Sequence, residues 1–225
     1  MRRKIIALIL CGLLCVFEVS AIDFNELPFD NAGLSAGWIE RQETAHQMAE
    51  CARELGFAED SEIIIAAKEV WNEAQTQIDL IEQRRTVWEA RFQQYPAATY
   101  IWIFLTEQCG YNDYVAAGIM GNIMAEVGGQ TLNIQYWLGG RGYYGMCQWS
   151  RRYFPGVSGA GLADQCQFLA NTIQSQMGSY YWTFIELQDY SSAALQFAKK
   201  YERCSSASYG VRQKNAAKAY SFFVG

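Results

Sequence analysis

The stretch Val115-Ala-Ala-Gly-Ile-Met-Gly-Asn-Ile-Met-Ala-Glu126-Val-Gly-Gly129 decides how the second half of this chain is read. Its small and apolar residues predict a tightly packed helix that stops at Gly128-Gly129, since glycine tolerates the left-handed turn that follows a helix. Apart from thioether sulfur, Asn122 and Glu126 are its only polar side chains, and a spacing of four stacks them on one face. A carboxyl in the last turn of a buried helix meets poor solvation and the negative end of the helix dipole. Both favour the protonated form, the condition a general acid needs near neutral pH. A glutamate at the exposed edge of a core helix is the alternative reading.

The chain opens with Met1-Arg-Arg-Lys4, runs apolar from Ile5 to Phe17 and reaches Val19-Ser20-Ala21. A basic start, a short apolar run and small residues before a cut predict a secretory signal peptide over residues 1–21. The run is shorter than the roughly 20 residues that span a bilayer. Leu10 and Leu14 precede Cys11 and Cys15 where lipoprotein processing requires a small residue. The expected location is therefore outside the cell or at the cell wall.

Without that leader, 15 basic and 22 acidic side chains remain, a net charge of −7. Residues 22–96 hold 6 basic and 15 acidic side chains, and residues 97–225 hold 9 and 7, so the two parts read as units with different jobs. No basic stripe of a nucleic-acid binder is present. Five cysteines follow the leader (Cys51, Cys109, Cys147, Cys166 and Cys204), and an odd number leaves at least one outside any intrachain disulfide. No pair has the Cys-x-x-Cys spacing and His46 is the single histidine, which argues against a zinc site. No metal, nucleotide or organic cofactor is implied.

The expected fold class is all-α, with room for one short β-hairpin. After a turn-rich lead-in over 22–36, a first helix is predicted from Ile39 to Leu55, ending at Gly56. A long second helix follows a cap at Asp60 or Ser61. In it Ile64, Ala67, Trp71, Ala74, Ile78, Ile81, Trp88 and Phe92 recur at steps of three and four, broken by Arg85. Such a seam either docks on the following domain or forms a stalk that self-associates through residues 62–92. Pro96 marks the domain boundary, giving an acidic helical region over 22–96 and a second domain over 97–225. In the latter, helices are predicted over Thr99–Cys109, from a cap at Asn112 or Asp113 to Val127, over Leu162–Met177, over Ala193–Tyr201 behind Ser191 or Ser192, and over Val211–Phe223.

Residues 128–161 are rich in glycine and aromatics and read as an irregular loop or hairpin. Tyr136, Trp137, Arg141, Tyr143, Tyr144, Gln148, Trp149 and Arg151 offer rings for sugar faces and donors for hydroxyl and acetamido groups. Packing inside the domain is the alternative for each ring. Three motifs then stand in order: the Glu126 helix, Tyr144-Gly-Met-Cys-Gln-Trp-Ser150, and Phe197-Ala-Lys-Lys-Tyr-Glu-Arg203 with Arg212 and residues 216–220 behind it. Over residues 100–223 this order resembles the phage tail lysozyme family of peptidoglycan-cleaving domains. The family's usual pattern is an apolar Gly-Asn-Ile-x-x-Glu-Ser-Gly helix followed by a Tyr-Gly-Leu-Ala-Gln-Trp loop. Here Val127 replaces the serine, Cys147 the small residue, and Cys204 a proline that often follows the third motif; the Gly128–Tyr144 segment is short.

The resemblance implies a lysozyme-like helical domain that cleaves the β-1,4 bond between N-acetylmuramic acid and N-acetylglucosamine. It places Glu126 on the catalytic glutamate, and Gly145, Gln148 and Trp149 on a loop bordering the glycan cleft. Tyr144 and Asn122 join them as candidate substrate-binding residues. Peptidoglycan strands are the expected partner, and a wall-spanning transport apparatus is a further one. Glycosidases normally use two carboxyls; the candidates for the second are Glu107, Asp113, Asp164, Glu186 and Asp189. With one acid, Glu126 protonates the leaving oxygen, and water or the sugar's own 6-hydroxyl captures the cation, so the enzyme is a muramidase or a lytic transglycosylase. Two rival readings remain: a cysteine peptidase using Cys147 and His46, and a non-catalytic wall-binding or assembly protein on the same fold.

Overall fold

The computed structural model describes residues 32–225; the expected leader and most of the lead-in lie outside the described residues. The chain forms two compact units, divided between Thr86 and Val87.

The first unit is a helical hairpin. Helix α1 (Ala32–Glu54) stops just before Gly56, whose φ of +81° turns the chain. Helix α2 (Glu62–Gln94) returns antiparallel. Gln42 donates to Gln75 at 2.7 Å, and Arg41 pairs with Glu73 at 3.4 Å. Ala45, Ala49 and Ala52 on α1 and Ile64, Ala67, Ala74 and Ile78 on α2 are buried. The first half of the seam is therefore covered, although Trp71 stays 39% exposed.

The second unit begins within α2, where Trp88 and Arg91 pack on Phe223. Tyr95 separates α2 from α3 (Pro96–Ile103). Pro96 opens α3 at a first-turn position, where its missing N–H costs no hydrogen bond. Helix α3 widens into a π turn over Phe104–Gln108. Trp102 stacks on Phe223 with ring centroids 4.4 Å apart, joining this segment to the C-terminal helix.

Helix α4 (Asp113–Val127) is the axis of the unit. Asn112 caps it, its side chain accepting from the Val115 N–H at 3.0 Å, and Asp113 sits in the first turn. Every residue from Val115 to Met124 is buried, as a helix apolar on all sides must be. Helices α7 (Tyr190–Phe197) and α8 (Tyr209–Phe223) pack directly on it. Two glycines set the spacing. A Cβ on Gly118 would lie 2.5 Å from the Cβ of Ala193, and one on Gly121 would lie 2.5 Å from the carbonyl oxygen of Arg212. No side chain fits at either position.

The remaining elements enclose this core. Helix α5 (Leu162–Met177) buries Cys166, Leu169, Ile173 and Met177, close to the expected face, and also Gln165. The short aromatic helix α6 (Tyr181–Ile185), with Phe184 fully buried, had no signal in the periodicity. Helix α7 is capped by Asp189 rather than by the expected serines: Ser191 and Ser192 donate their N–H groups to its carboxylate at 3.3 and 2.7 Å. Hydrogen bonding by Ser192, through its side chain first and then its N–H, holds the Asp189 carboxyl below its ordinary range. Helix α7 then opens into a π turn over Ala198–Glu202, closed by Arg203 at φ +54°.

The only strands among the described residues are three two-residue pieces in the loop after α4. They are β1 (Gly139–Gly140), β2 (Tyr143–Tyr144) and β3 (Trp149–Ser150), antiparallel in that order. Arg141 and Gly142 both have positive φ, the backbone that a two-residue hairpin turn requires. The mainly α architecture with one small sheet agrees with the expectation.

The glycine contacts predict that Gly121→Ala and Gly118→Ala each cost about 1–3 kcal/mol or more through overpacking. Gly140→Ala, with nothing within 4 Å of the new carbon, should be near neutral. Urea unfolding of the three variants checks this; equal midpoints would contradict it.

Candidate active site

Glu126 stands in the last turn of α4, its side chain 22% exposed, while Asn122, Ile123, Met124 and Val127 around it are buried. The guanidinium of Arg212, on α8 and only 5% exposed, donates from Nη2 to Glu126 Oε1. The same guanidinium donates from Nη1 to Asn122 Oδ1 at 3.0 Å and to the Asn122 carbonyl at 3.4 Å. Asn122 in turn donates to the carbonyls of Gly118 at 2.8 Å and Ala194 at 3.0 Å. One face of α4 thus presents an amide and a carboxylate to a single guanidinium. Burial, the largest single effect, works against the Arg212 charge, but the hydrogen bond to Glu126 and the nearby acidic groups together outweigh it and raise its pKa.

No cation stands near Glu126 in the sequence of its own helix. Arg212 lies 86 residues downstream, and only the packing of α8 on α4 brings the two together. The packing also supplies a second acid that the candidate set missed. Glu202, the last residue of the π turn after α7, interacts electrostatically with Glu126 and Arg212 and with the Cys147 thiol. As a whole residue it is half-buried, but its Oε1 is sealed from solvent and has no hydrogen-bond partner among the described residues. Burial, reinforced by the nearby Glu126 and opposed by Arg212 and Cys147, raises the Glu202 carboxyl to about 8. The five candidates for the second acid are all exposed: Glu107, Asp113, Asp164, Glu186 and Asp189. Asp164 accepts from the Gly161 N–H and Asp189 caps α7. The only sequence signal for Glu202 was its place between Tyr201 and Arg203 in the third motif.

The loop residues divide into braces and exposed groups. Gly145, at φ +80°, leaves room for Gln165, whose Oε1 would be 2.7 Å from any Cβ there. Gln165 accepts from the Met146 N–H at 2.8 Å and donates to the carbonyls of Tyr136 and Ala160. This buried amide, which the periodicity did not single out, ties three points of the loop together. Gln148 has positive φ, and its side-chain amide donates to Gly145 at 3.0 Å and Leu138 at 3.2 Å. Trp149 is 5% exposed; it packs on Phe154 and Phe168 and donates from Nε1 to the Tyr201 hydroxyl at 3.1 Å. Tyr144 is half-buried and holds Arg151 4.5 Å from its ring centre. Trp137 and Tyr143, at 65% and 54%, are the exposed rings among those expected.

The described cysteines are all free thiols. Cys147 is buried, and burial first of all raises its pKa well above the ordinary value, the opposite of what a thiolate nucleophile needs. His46, the chain's one histidine, is exposed and belongs to the other unit. This chemistry does not support the cysteine peptidase reading.

Comparison with known families matches the phage tail lysozymes over residues 96–223. The chain belongs to the phage tail lysozyme family. No curated protein and no solved structure matches it. Membership makes the second unit a lysozyme-like domain whose family-level activity is peptidoglycan cleavage. The match begins at Pro96, the first residue of α3, nine residues after the start of the second compact unit at Val87.

Glu202 ties stability to pH. Its carboxyl keeps its proton in the folded chain up to about pH 8 and loses it near 4.5 when unfolded, so stability is lost as pH rises between those values. Glu202→Gln has no proton to lose. Relative to wild type the variant should gain about 1–3 kcal/mol between pH 4.5 and 8. Thermal melts across that range check it; a constant difference would count against it.

Proposed function

We propose that this protein is an exported glycosidase that cuts the β-1,4 bond between N-acetylmuramic acid and N-acetylglucosamine, with Glu126 as the acid. The observation that carries this reading is the setting of Glu126. It is the one acid beyond the first turn of a mainly apolar helix, open on one side and gripped from behind by buried Arg212. Family membership supplies the substrate class. Residues 1–21 are the proposed export signal, and the wall or extracellular space is the proposed site of action.

In this mechanism Glu126 protonates the glycosidic oxygen as the bond from the muramyl anomeric carbon breaks. Its carboxylate and Arg212 then face an oxocarbenium-like sugar, where fixed charges act strongly because no solvent has to reorganise. Water captures the sugar in a hydrolase and the 6-hydroxyl in a lytic transglycosylase, and the released proton returns to the carboxylate. Trp137 and Tyr143 are proposed to meet sugar faces. Residues 128–161 carry Arg141, Arg151 and Arg152 and no acid, which favours the carboxylates of the wall polymer. Asn122, Gln148 and Trp149 spend their polar groups inside the protein, so their proposed role is to hold the site in shape.

Glu126→Gln is expected to lower clearing of purified walls by about 100-fold or more, with the fold retained. Undiminished clearing would end the proposal, and wall binding without lysis by the wild type would favour the assembly-protein reading. Mass spectrometry of the fragments separates reducing from anhydro ends.

A further inference from the structure

The second unit leaves another pair of rings in solvent besides Trp137 and Tyr143. Helix α5 ends at Gly178, whose φ of +59° sends the chain through a short turn into α6. This corner sorts its aromatic residues. Phe184 is fully buried, whereas Trp182 is 62% exposed and Tyr180 47%, and neither of these two joins the core. The segment that carries them is nonetheless fixed. The side-chain amide of Gln196, on α7, donates to the Tyr180 carbonyl at 3.4 Å and to the Thr183 hydroxyl at 3.5 Å. Lys200, in the π turn after α7, sets its ammonium 3.5 Å from the centre of the Tyr180 ring, where the negative face of the ring attracts it.

Charge at this corner is one-sided. Residues 165–203 hold three cations (Lys199, Lys200 and Arg203) and three acids (Glu186, Asp189 and Glu202). Two of the acids are withdrawn: Asp189 caps α7, and Glu202 Oε1 is sealed from solvent. Lys199 and Arg203 are exposed, and Arg203 donates to Gln176 in the last turn of α5 at 3.4 Å. Positive charge therefore stands beside the exposed rings, in a chain whose net charge is −5.

We propose that Tyr180, Trp182 and Lys200 form a second wall-binding surface, which takes a stretch of peptidoglycan strand away from the bond being cut. The inference rests on peptidoglycan being the substrate and not on the role of Glu126. The two chemistries match. A sugar ring has an apolar face of C–H groups that lies flat on an indole or a phenol, and the lactyl and peptide carboxylates of the wall polymer pair with Lys200 and Arg203. The placement suits a long polymer. Gln165, near the start of α5, braces the hairpin, and Met177 ends the helix about 18 Å further along its axis. Tyr201, next to Lys200, hydrogen-bonds with Trp149 of the hairpin and with Thr172 midway along α5, so both surfaces belong to one framework. Two weak contacts on the same polymer raise the effective concentration of each for the other. A whole wall gains from that, and a fragment too short to reach both does not.

The test uses the full chain carrying Glu126→Gln, so that walls stay intact, and measures co-sedimentation with purified peptidoglycan. Tyr180→Ala together with Trp182→Ala is expected to weaken binding about 10-fold. Lys200→Glu should weaken it at low salt, with a difference that fades as salt screens the charge. In the otherwise wild-type chain the same substitutions should slow solubilisation of whole walls and leave cleavage of a soluble tetrasaccharide at the wild-type rate. Lys200→Glu reads the surface through charge alone, so it decides the matter even where the ring substitutions disturb α6. Failure of the parent to sediment, or unchanged sedimentation in both variants, would overturn the inference. Equal losses on walls and tetrasaccharide would also overturn it, because these residues would then belong to the cleft or to the fold. If wild type cuts neither substrate while sedimentation depends on the rings, the glycosidase assignment fails and the surface stands. If wild type cuts both and sedimentation ignores the rings and Lys200, only the surface fails.

Discussion

The domain depends on the close crossing of α8 over α4 at Gly121. Because no Cβ intervenes, the backbone at Arg212 rests against α4, and its guanidinium can reach both Asn122 and Glu126 from a buried position. A buried ion pair is weak evidence for stability, since desolvating two charges costs about as much as their attraction returns. The three hydrogen bonds that Arg212 makes to Asn122 and Glu126 bring the contact nearer to break-even. What the pair does provide is a fixed geometry. With α7 seated on Gly118 and α8 on Gly121, the carboxylate at the end of α4 has a defined partner and a defined open side.

The same economy governs the loop. Gln165, Gln148 and Trp149 carry groups that would suit a carbohydrate, and each uses them on the protein. The reason is backbone satisfaction. A glycine-rich loop with two-residue strands makes few ladder hydrogen bonds, and its buried carbonyls and N–H groups need side-chain partners. Gln165 alone serves Met146, Tyr136 and Ala160. The rings of Trp137 and Tyr143 are left exposed, with no such bracing to do.

This division explains what was legible in the sequence. Helix α4, its end at the double glycine, the helix over 162–177 and the mainly α class came from patterns local to each element: periodicity, caps and stops. The Gly-x-x-Gly spacing of residues 118 and 121 was also visible, but not which helices it admits, because α7 and α8 lie about 70 to 95 residues further on. The same distance hid Arg212 as the partner of Glu126. The cap of α7 was misplaced because Asp189, Ser191 and Ser192 all suit the position, and only the backbone geometry chooses among them. Glu202 was hidden for another reason. Helical periodicity assigns faces at 3.6 residues per turn, and a π turn breaks that count where the residue matters.

A glutamate on an apolar helix invites the view that burial alone prepares it for acid chemistry. In this domain burial and charge are divided between two carboxyls. The half-open one carries the arginine, and the sealed one, with no partner for Oε1, carries the burial. Placing two carboxyls in unlike surroundings is a general means by which one fold gives the same group different properties. A lone arginine balances one carboxylate, so a second ionised carboxyl in the same dry space would be uncompensated.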